Sequence, residues 1–387
     1  MFFFSSYAAL SQISTPELSG ANLNTINTAV PFVTIAPDTR SAGMGDVGVA
    51  STPDINSQHW NAAKYAFIEK KAGISLTYTP WLRKIIPDIN LFYLSGYYRI
   101  NEKNVVSTSF RYFSLGSIAF TNINGTSWGQ FTPREMTFDA GYSRKLTDHF
   151  SASVVVRYIH SDLTSGQLIS GEESIPGKSF AGDLGLYYQN QLMLGERETQ
   201  YAFGLHISNV GTPLHYTTDA DKVPIPANLR IGGKYSLPIN QNHSISMMMD
   251  VNKLLVPTSP IWTLDSISGD YVIVHGQETP EGVFAGMLQS FYDAPGYVLA
   301  DGSRSILLEE LHEIMIGIGI EYWYKEMLAA RMGYFHQHVT KGNRKYITFG
   351  LTYNWRRSIF DFAYLLPVNG QESPLANSLR LSWSLEF

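Results

Sequence analysis

The chain of 387 residues contains no cysteine. Disulfide bonds and thiol chemistry are therefore excluded, and this composition is compatible with passage through an oxidising periplasm. No apolar run approaches the roughly 20 residues of a membrane-spanning helix, which excludes a helical membrane protein. Neither sign of charge is in large excess, since 28 Lys and Arg residues stand against 33 Asp and Glu residues. Without a long basic run, nucleic-acid binding is not expected.

Aromatic residues are abundant, with 23 Tyr, 21 Phe and 7 Trp, although the mean hydropathy is only -0.08. Apolar and polar residues alternate along the segment from Asn377 to Phe387. Its apolar positions are Leu379, Leu381, Trp383, Leu385 and Phe387. A strand with one apolar and one polar face that stops on an aromatic residue is typical of outer-membrane β-barrels. We therefore expect a bacterial outer-membrane protein, and we expect removal of Phe387 to impair its assembly.

Similar alternation recurs in segments of roughly 10 residues separated by turn residues, which predicts further strands of the same kind. Fourteen such segments are present, near residues 72–82, 88–100, 104–115, 134–146, 149–161, 178–190, 198–209, 226–237, 243–254, 311–323, 326–336, 344–354, 357–366 and 377–387. The sequence thus predicts an all-β fold, a fourteen-stranded antiparallel transmembrane β-barrel.

The connections support an even number of strands, because short inner turns alternate with long outer loops in such barrels. Short turns are predicted near residues 101–103, 147–148, 238–242, 324–326 and 355–357. Long extracellular loops are predicted at residues 116–133, 162–177, 210–225, 255–310, 337–343 and 367–376.

Charged residues occupy the polar face of the predicted strands. They are Arg99, Arg111, Asp139, Arg157, Asp183, Arg230, Lys234, Asp250, Glu321, Arg331, Asp361, Arg380 and Glu386. A base facing lipid near the midplane would cost about 2 to 4 kcal/mol, so these side chains are expected to point into the lumen. The near balance of sign favours paired charges in a filled interior over a ring of one sign. A water-filled porin lining is the alternative.

Residues before the first strand do not alternate and are mostly small, which favours a segment packed tightly against a surrounding wall. We predict that residues 12–70 form an N-terminal extension and a hatch that plugs the lumen, and that residues 71–387 form the barrel. Residues 1–11 are interpreted as the remnant of a signal peptide, because Ala9-Leu10-Ser11 has the small-x-small pattern of a cleavage site. A short apolar tail is the alternative.

No catalytic or cofactor motif stands out, and neither an enzyme nor a cofactor is expected. Gly43, Gly45 and Gly48 match the spacing of a dinucleotide fingerprint, but no parallel βαβ unit surrounds them. His336 and His338 could share one strand face, yet no third metal ligand is near in sequence. Ser, His and Asp are present without the context of a nucleophile elbow.

The predicted loop from Leu255 to Glu310 has 56 residues, and loops of this length are usually functional or disordered. Apolar residues within it recur at helical spacing, which predicts an amphipathic helix over 282–292. We expect its side chains to bind cargo or a partner, through Val283, Phe284, Met287, Leu288, Phe291 and Tyr292. Alternatively, the helix only folds over the barrel mouth as a lid.

Two stretches carry a resemblance to a known family. They are "RSAGMGDVGVASTPDINSQHWNAAKYAF" at 40–67 and "EGVFAGMLQSFYDAPG" at 281–296, the second followed by "LLEELHEIMIGIGIEYWY". Both resemble the PorV family (also called LptO), fourteen-stranded FadL-like barrels of the type IX secretion system of Bacteroidota. The resemblance assigns hatch positions to Arg40, Met44, Asp46, Trp60, Asn61 and Lys64.

The resemblance implies an outer-membrane shuttle, surrounded by outer-membrane lipid, that is not a catalyst. Such a barrel would dock against the translocon barrel SprA, take cargo proteins by their C-terminal signal domains, and deliver them to the sortase PorU and its attachment complex. A FadL-type transporter of hydrophobic compounds is the alternative function, although the predicted charged lumen suits it poorly. A general porin would need an open bore and no hatch.

Overall fold

The computed structural model describes residues 23–80, 88–121, 127–164, 166, 168–169, 172–195, 197–217, 222–368 and 378–387. Within these residues, fourteen strands form one closed antiparallel barrel, as the alternation predicted. In chain order they are β1 Ala72–Pro80, β2 Ile89–Arg99, β3 Asn104–Leu115, β4 Arg134–Lys145, β5 Phe150–Asp162, β6 Gly177–Leu194, β7 Arg197–Gly211, β8 Asn228–Asn240, β9 His243–Leu254, β10 Met315–Tyr324, β11 Leu328–His336, β12 Lys345–Trp355, β13 Ser358–Pro367 and β14 Leu379–Glu386.

Each strand pairs with its neighbours in the chain, and the barrel closes where β1 pairs with β14. This seam runs from the pair Gly73 and Glu386 to the pair Tyr78 and Leu381. Backbone bonds continue beyond it, because the amide of Phe387 donates to the carbonyl of Ala72 at 2.9 Å. Closure leaves no strand edge unpaired along the seam, which is the condition for a sheet to lie in lipid.

The two faces of the barrel differ in polarity, because successive side chains of a strand point to opposite faces of the sheet. On β5, Val154 and Val156 are exposed on the outside, whereas Val155 and Arg157 are buried on the inside. Serine, threonine and charged residues dominate the inner positions, and leucine, isoleucine, phenylalanine and tyrosine the outer ones. An apolar outer face and a polar inner face are those of a transmembrane barrel. Among the described residues, no helix is both long and apolar enough to cross a membrane.

Short turns connect the strands at one end of the barrel, here called the turn end. The opposite loop end carries the longer connections, and these hold secondary structure of their own. Hairpins pair Ile118–Thr121 with Ser127–Phe131, Leu168–Ile169 with Glu172–Glu173, Ile261–Leu264 with Tyr271–His275, and Tyr297–Val298 with Arg304–Ser305. The loop helices are Val283–Gln289, Ile306–His312 and the 3-10 helix Val339–Lys341.

Some predicted boundaries were wrong. The strand predicted at 311–323 begins only at Met315, because Ile306–His312 is helical and Ser305 caps its first turn by accepting a hydrogen bond from the Leu308 amide at 3.3 Å. The turn between β6 and β7 was missed: β6 runs four residues beyond its predicted end, to Leu194, β7 begins one residue before its predicted start, at Arg197, and Gly195 between them has a φ of 65°. The signal-peptide remnant at 1–11 and most of the loop at 367–376 lie outside the described residues.

The apolar outer face generates a test of lipid contact. Val156→Arg places a charge outside the middle of β5, and we expect it to lower the free energy of unfolding in vesicles by about 2 to 4 kcal/mol. Leu146→Arg, beyond the turn end of β4, is the matched control and should cost about 0 to 1 kcal/mol. Urea titration followed by tryptophan fluorescence measures both. Equal costs at the two positions would contradict a lipid-facing surface.

Candidate functional site

Residues 30–67, here called the lumen segment, lie inside the barrel from the loop end to the turn end. Four short helices shape the segment, namely Pro31–Thr34, Thr39–Ala42, Ser57–Trp60 and Ala62–Phe67. At the loop end, Phe32 packs in a buried cluster with Leu91 and Ile159. At the turn end, Tyr65 packs in another cluster with Tyr97 and Val105. The chain therefore passes down the whole lumen before it enters β1.

The glycines of the lumen segment lie where its backbone packs closely against the barrel strands or against the ring of Trp60. A Cβ atom on Gly43 would come within 2.9 Å of the Gly350 Cα, and one on Gly45 within 2.7 Å of the Tyr334 backbone. Gly48 faces the ring of Trp60, where a Cβ would lie 2.4 Å from the nearest ring atoms. Close packing against strands and an indole ring therefore explains the spacing that resembles a dinucleotide fingerprint.

Strand side chains bind the backbone of the lumen segment. One oxygen of Asp250 on β9 accepts hydrogen bonds from the amides of Gly48 and Val49, at 2.8 and 2.9 Å. The hydroxyl of Thr348 on β12 accepts one from the amide of Gly45 at 2.8 Å. Buried backbone polar groups are costly unless they are paired, so these contacts stabilise the segment where helix and sheet bonds are absent.

Arg40 links the lumen segment to the barrel through ion pairs. Its guanidinium lies 2.8 Å from an Asp54 oxygen and 2.9 Å from a Glu321 oxygen. Glu321 is shared, because Arg331 also contacts it at 2.7 Å and reaches Asp361 at 3.3 Å. Two arginines and three carboxylates thus form one network in the turn-end half of the lumen.

A second network crosses β4, β5 and β6. Arg157 contacts Asp139 at 2.8 Å and Asp183 at 3.0 Å, and all three side chains are buried. The thirteen inner charges predicted from sequence all lie on the inner face, buried or half-buried. Six of the thirteen pair directly with one another, Arg157 with Asp139 and Asp183, and Arg331 with Glu321 and Asp361, so the predicted pairing of opposite charges is present in part. Removing one partner from such a buried pair typically costs about 3 to 5 kcal/mol.

The predicted hatch residues all lie in the lumen, but they make different contacts. Met44 is buried beside Gly319 and Gly333. Asp46 accepts a hydrogen bond from the Tyr346 hydroxyl, and the indole of Trp60 donates to Asp38. The remaining two bind backbone: Asn61 donates to the carbonyl of Leu186 at 2.8 Å, and Lys64 to that of Gly48 at 2.7 Å.

An ion-pair cluster anchors the long loop after β9 at the barrel mouth. Lys253, near the end of β9, lies 2.9 Å from Glu310 and 2.6 Å from Glu313. Lys341, in the loop after β11, lies 2.8 Å from Glu309 and 3.0 Å from the other oxygen of Glu313. The helix Ile306–His312 and the residue that follows it are therefore fixed to two other parts of the barrel. Sequence reasoning missed this cluster, since its members are far apart in the chain.

Asp293 fixes the other half of the same loop. It is fully buried, and one carboxylate oxygen accepts a hydrogen bond from the Thr258 amide at 3.1 Å. Burial, helped by the nearby carboxylates of Glu310 and Glu313, raises the pKa of Asp293 to about 7. The aspartate of the "SFYDAPG" motif therefore has a structural role, because it attaches this part of the loop to Thr258, which lies just after β9.

The amphipathic helix predicted over 282–292 is shorter in the structure, Val283–Gln289. An amphipathic helix would bury its apolar side chains, but this helix exposes most of them. Phe284 and Leu288 are 74% and 69% exposed, and Phe291 and Tyr292 beyond the helix are also exposed. Val283 and Met287 are half-buried. The buried face is instead made by Gly286 and Gln289. The apolar side chains are thus displayed on the loop.

His336 and His338 do not face a shared metal site. The ring of His338 stacks on that of His312 with centroids 3.5 Å apart, whereas His336 lies near the Tyr334 hydroxyl at 3.3 Å. Burial and the neighbouring His312 lower the pKa of His338 to about 4, so the stacked ring is neutral at pH 7. Within the part of the chain that the structure describes, no group of three His, Cys, Asp or Glu side chains could hold a metal ion.

The fold is similar to that of solved hydrocarbon channels. A TodX deltaS2S3 mutant monoaromatic hydrocarbon channel superposes with a TM-score of 0.51 at 14% identity, covering 90% of this chain and 98% of that one. The Pseudomonas putida toluene transporter TodX gives 0.47 at 11%, covering 94% and 98%. The Ralstonia pickettii toluene transporter TbuX gives 0.45 at 12%, covering 90% and 98%. The architecture is thus that of a FadL-like fourteen-stranded barrel.

A family model described as "Type IX secretion system protein PorV" matches residues 18–261, which is more than half of the chain. The chain belongs to this family, which confirms the resemblance found in the sequence. No curated protein matches the chain. The family is that of a secretion component, and the apolar outer face of the barrel agrees with an outer-membrane location.

The close approach at Gly333 generates a test of the lumen segment. A Cβ at this inner position would lie 2.0 Å from the Met44 carbonyl carbon, so Gly333→Leu must displace the segment or the strand. We expect the wild-type protein to show no large steady conductance in planar bilayers and Gly333→Leu to show one.

Gly233→Leu is the matched control, because its side chain would face outward with the nearest atom 3.5 Å from the Cβ. It should conduct no more than the wild type. A large steady conductance of the wild-type protein itself would contradict occlusion by residues 30–67.

The raised pKa of Asp293 predicts a pH-dependent loop. Because the folded loop holds the proton more tightly than the unfolded chain, its stability is fully present below about pH 4 and falls as pH rises towards 7. Cleavage of the loop by proteinase K, normalised to an unstructured peptide, should therefore increase between pH 5 and pH 8. Asp293→Asn should remove most of this increase, and the exposed-residue control Asp270→Asn should not. An unchanged profile in Asp293→Asn would contradict the assignment.

Proposed function

We propose that this protein is a shuttle of the type IX secretion system in the bacterial outer membrane. It binds the C-terminal signal domains of cargo proteins that leave the translocon SprA, and it delivers the cargo to the sortase PorU and the attachment complex. Membership of the PorV family supports a role in this system. Among these steps, the binding of cargo is the one that the exposed surface of the chain supports most directly.

One observation carries the proposal, a stripe of exposed apolar side chains on the loop helix. Phe284 and Leu288 lie at positions i and i+4 of the helix and are 74% and 69% exposed, and Tyr292, in the turn that follows the helix, is 54% exposed. Residues four apart lie on the same face of a helix. A contiguous exposed apolar surface on a stable loop is typical of a site for protein binding.

Contacts beneath the helix keep the stripe in place. A Cβ on Gly286 would lie 3.2 Å from the ring of Pro257, which shows how closely the helix packs on the loop base. The Gln289 side chain donates to the Glu278 carbonyl at 2.8 Å. Such a preformed surface loses less conformational entropy on binding than a mobile loop would.

The filled lumen supports binding at the loop end over passage of protein through the barrel. Arg40, Asp250 and Thr348 tie the lumen segment to inner positions of several strands. Two separate cavities flank the segment, of about 270 Å³ towards the loop end and about 430 Å³ towards the turn end. A folded cargo domain is far larger than either cavity, so it must be handled outside the barrel.

Replacing Phe284, Leu288 and Tyr292 together with Ser should weaken capture of cargo. Each apolar side chain lost from a packed interface can cost on the order of 1 to 3 kcal/mol, so at least a tenfold loss of affinity is expected. The measurement is co-purification and titration of a cargo C-terminal domain with wild-type and variant protein. Heat-modifiability on a gel reports whether the barrel is folded.

A matched control lies in the same loop. Ile306, Leu307 and Leu311 are exposed apolar residues of the second loop helix, and their replacement with Ser removes a similar amount of apolar surface. This control should retain cargo binding. Equal recovery of cargo by a folded Phe284/Leu288/Tyr292 variant would mean that the first helix is only a lid.

Transport of hydrophobic compounds is the second candidate function. The likeness in fold to a monoaromatic hydrocarbon channel favours it. Buried charges such as Arg157, Asp183 and Glu321 on the inner face disfavour an apolar path. A deletion strain separates the two functions: a shuttle predicts loss of secreted cargo with normal uptake of toluene, and a transporter predicts the reverse.

A further inference from the structure

A cavity of about 270 Å³ lies between the lumen segment and the loop end. Its walls come from the lumen segment and the residues just before it, from β5, from β7 to β11 and from the loop after β11. The lining includes the basic or aromatic residues His59, Trp60, Arg230, Phe335 and Arg344, together with the acids Asp46 and Glu313. This cavity lies away from the exposed helix of the cargo-binding proposal, so the inference below does not depend on that proposal.

Within the described part of the chain, two arginines of this cavity have no direct carboxylate partner, unlike Arg157, which lines the same cavity. Arg157 contacts two carboxylates, whereas Arg230 and Arg344 have no carboxylate oxygen within 4.0 Å among the described residues. Arg230 lies over the ring of Trp60, 4.3 Å from its centroid, and donates to the amide oxygen of Asn252. Arg344 lies 5.4 Å from the centroid of Phe335 and donates to Gln337 at 2.6 Å. Both charges are held by neutral groups.

His59 adds a hydrogen-bond donor to the same wall. Its Nδ1 lies 2.9 Å from a guanidinium nitrogen of Arg111, and since a guanidinium can only donate, this Nδ1 must accept. The proton of the neutral ring is therefore on Nε2. That atom is buried and has no hydrogen-bond partner in the structure. A buried donor without a partner is costly, and it marks a place where an acceptor would be stabilised.

The acids near the cavity are mostly engaged elsewhere. Glu313 binds Lys253, Lys341 and the hydroxyl of Thr258 with its two oxygens. Asp46 accepts from Tyr346 through one oxygen, and its other oxygen has no partner. Asp250, on the strand next to Arg230, gives one oxygen to two amides of the lumen segment, and its other oxygen has no hydrogen-bond partner among the described residues but lies beyond ion-pair distance of Arg230. These contacts leave the guanidinium groups of Arg230 and Arg344 without a direct counter-ion.

We propose that this cavity binds a compact oxyanion, a carboxylate or phosphate group, between Arg230 and Arg344. The buried Nη1 of Arg230 has no hydrogen-bond partner in the described part of the structure, and a bound anion would offset the cost of that unpaired donor through charge-assisted hydrogen bonds. Trp60 and Phe335 hold the two planar groups in fixed orientations by stacking, which pre-organises them for an anion. The apolar side chains of Leu254 and Met315 in the same wall accommodate a small apolar part of the ligand.

The loop end provides the path of entry. Ile26 and Thr28 line the cavity, and the chain around them is attached to loops: the amide of Ala29 donates to the Pro224 carbonyl at 2.9 Å, and the amide of Asn24 to that of Thr340 at 3.2 Å. Both hydrogen bonds lie outside the barrel ladder, so they can break without disturbing it. The lumen segment closes the opposite side, so the ligand enters and leaves at one face.

Thermal unfolding at constant ionic strength tests the proposal. Sodium phosphate, sodium acetate and dodecyl phosphate are compared with sodium chloride, since a ligand that binds only the folded protein raises the Tm with its concentration. We expect at least one oxyanion to raise the Tm of the wild type above the chloride value. Arg344→Gln should weaken this binding at least tenfold. Arg344 precedes β12, so its replacement leaves the barrel strands intact. Arg99→Gln removes a charge at the turn end and should bind like the wild type.

Each outcome separates the alternatives. A shift with inorganic phosphate or acetate assigns the site to a free small anion, and a shift with dodecyl phosphate alone assigns it to a lipid headgroup. Native mass spectrometry of the complex confirms a stoichiometry of one. If no oxyanion shifts the Tm beyond chloride, or if Arg344→Gln and Arg230→Gln both retain the full shift, the proposal is overturned.

Discussion

The structure depends on one constraint: polar groups enclosed by the barrel must find partners there, because bulk water does not fill the lumen. The lumen segment has little regular secondary structure, so its amides bind strand side chains such as Asp250 and Thr348. Its charged residue Arg40 joins an ion-pair network with Glu321 and Arg331. Segment and barrel therefore stabilise each other, and neither would be satisfied alone.

Much of this fold could be predicted from the sequence, because the side chains of a barrel strand alternate between lipid and lumen. A charged side chain that faced lipid would be costly, so each charge on a strand is expected to face the lumen. The fourteen strands and the inner charges followed from that rule. The helix Ile306–His312 did not, since its apolar residues run on into β10 and hide the boundary. Local pattern also could not show that Phe284 and Leu288 face outward, because Gly286 and Gln289 make the buried side through contacts distant in the chain.

The candidate sites could be predicted from the sequence only in part. Glycines and Asp46 could be placed in a hatch by resemblance, and their close contacts with strands explain why small residues are needed there. Arg344 could not be singled out, because nothing at the start of the predicted strand at 344–354 distinguishes it and its character comes from the absence of a nearby carboxylate. A missing partner is a property of three-dimensional arrangement, and no spacing in the chain encodes it.

The path of the lumen segment also restricts the order of assembly. The chain just before it is attached to loops at the loop end, through the amides of Asn24 and Ala29, and its last residues continue into β1 at the turn end. The segment is therefore joined covalently to the wall at the turn end only, and its attachment at the loop end consists of hydrogen bonds. The segment can enter a closed barrel through the turn-end mouth, or the seam between β1 and β14 can close around it. By either route, its bonds to Asp250 and Thr348 can form only once strands far along the chain are in place.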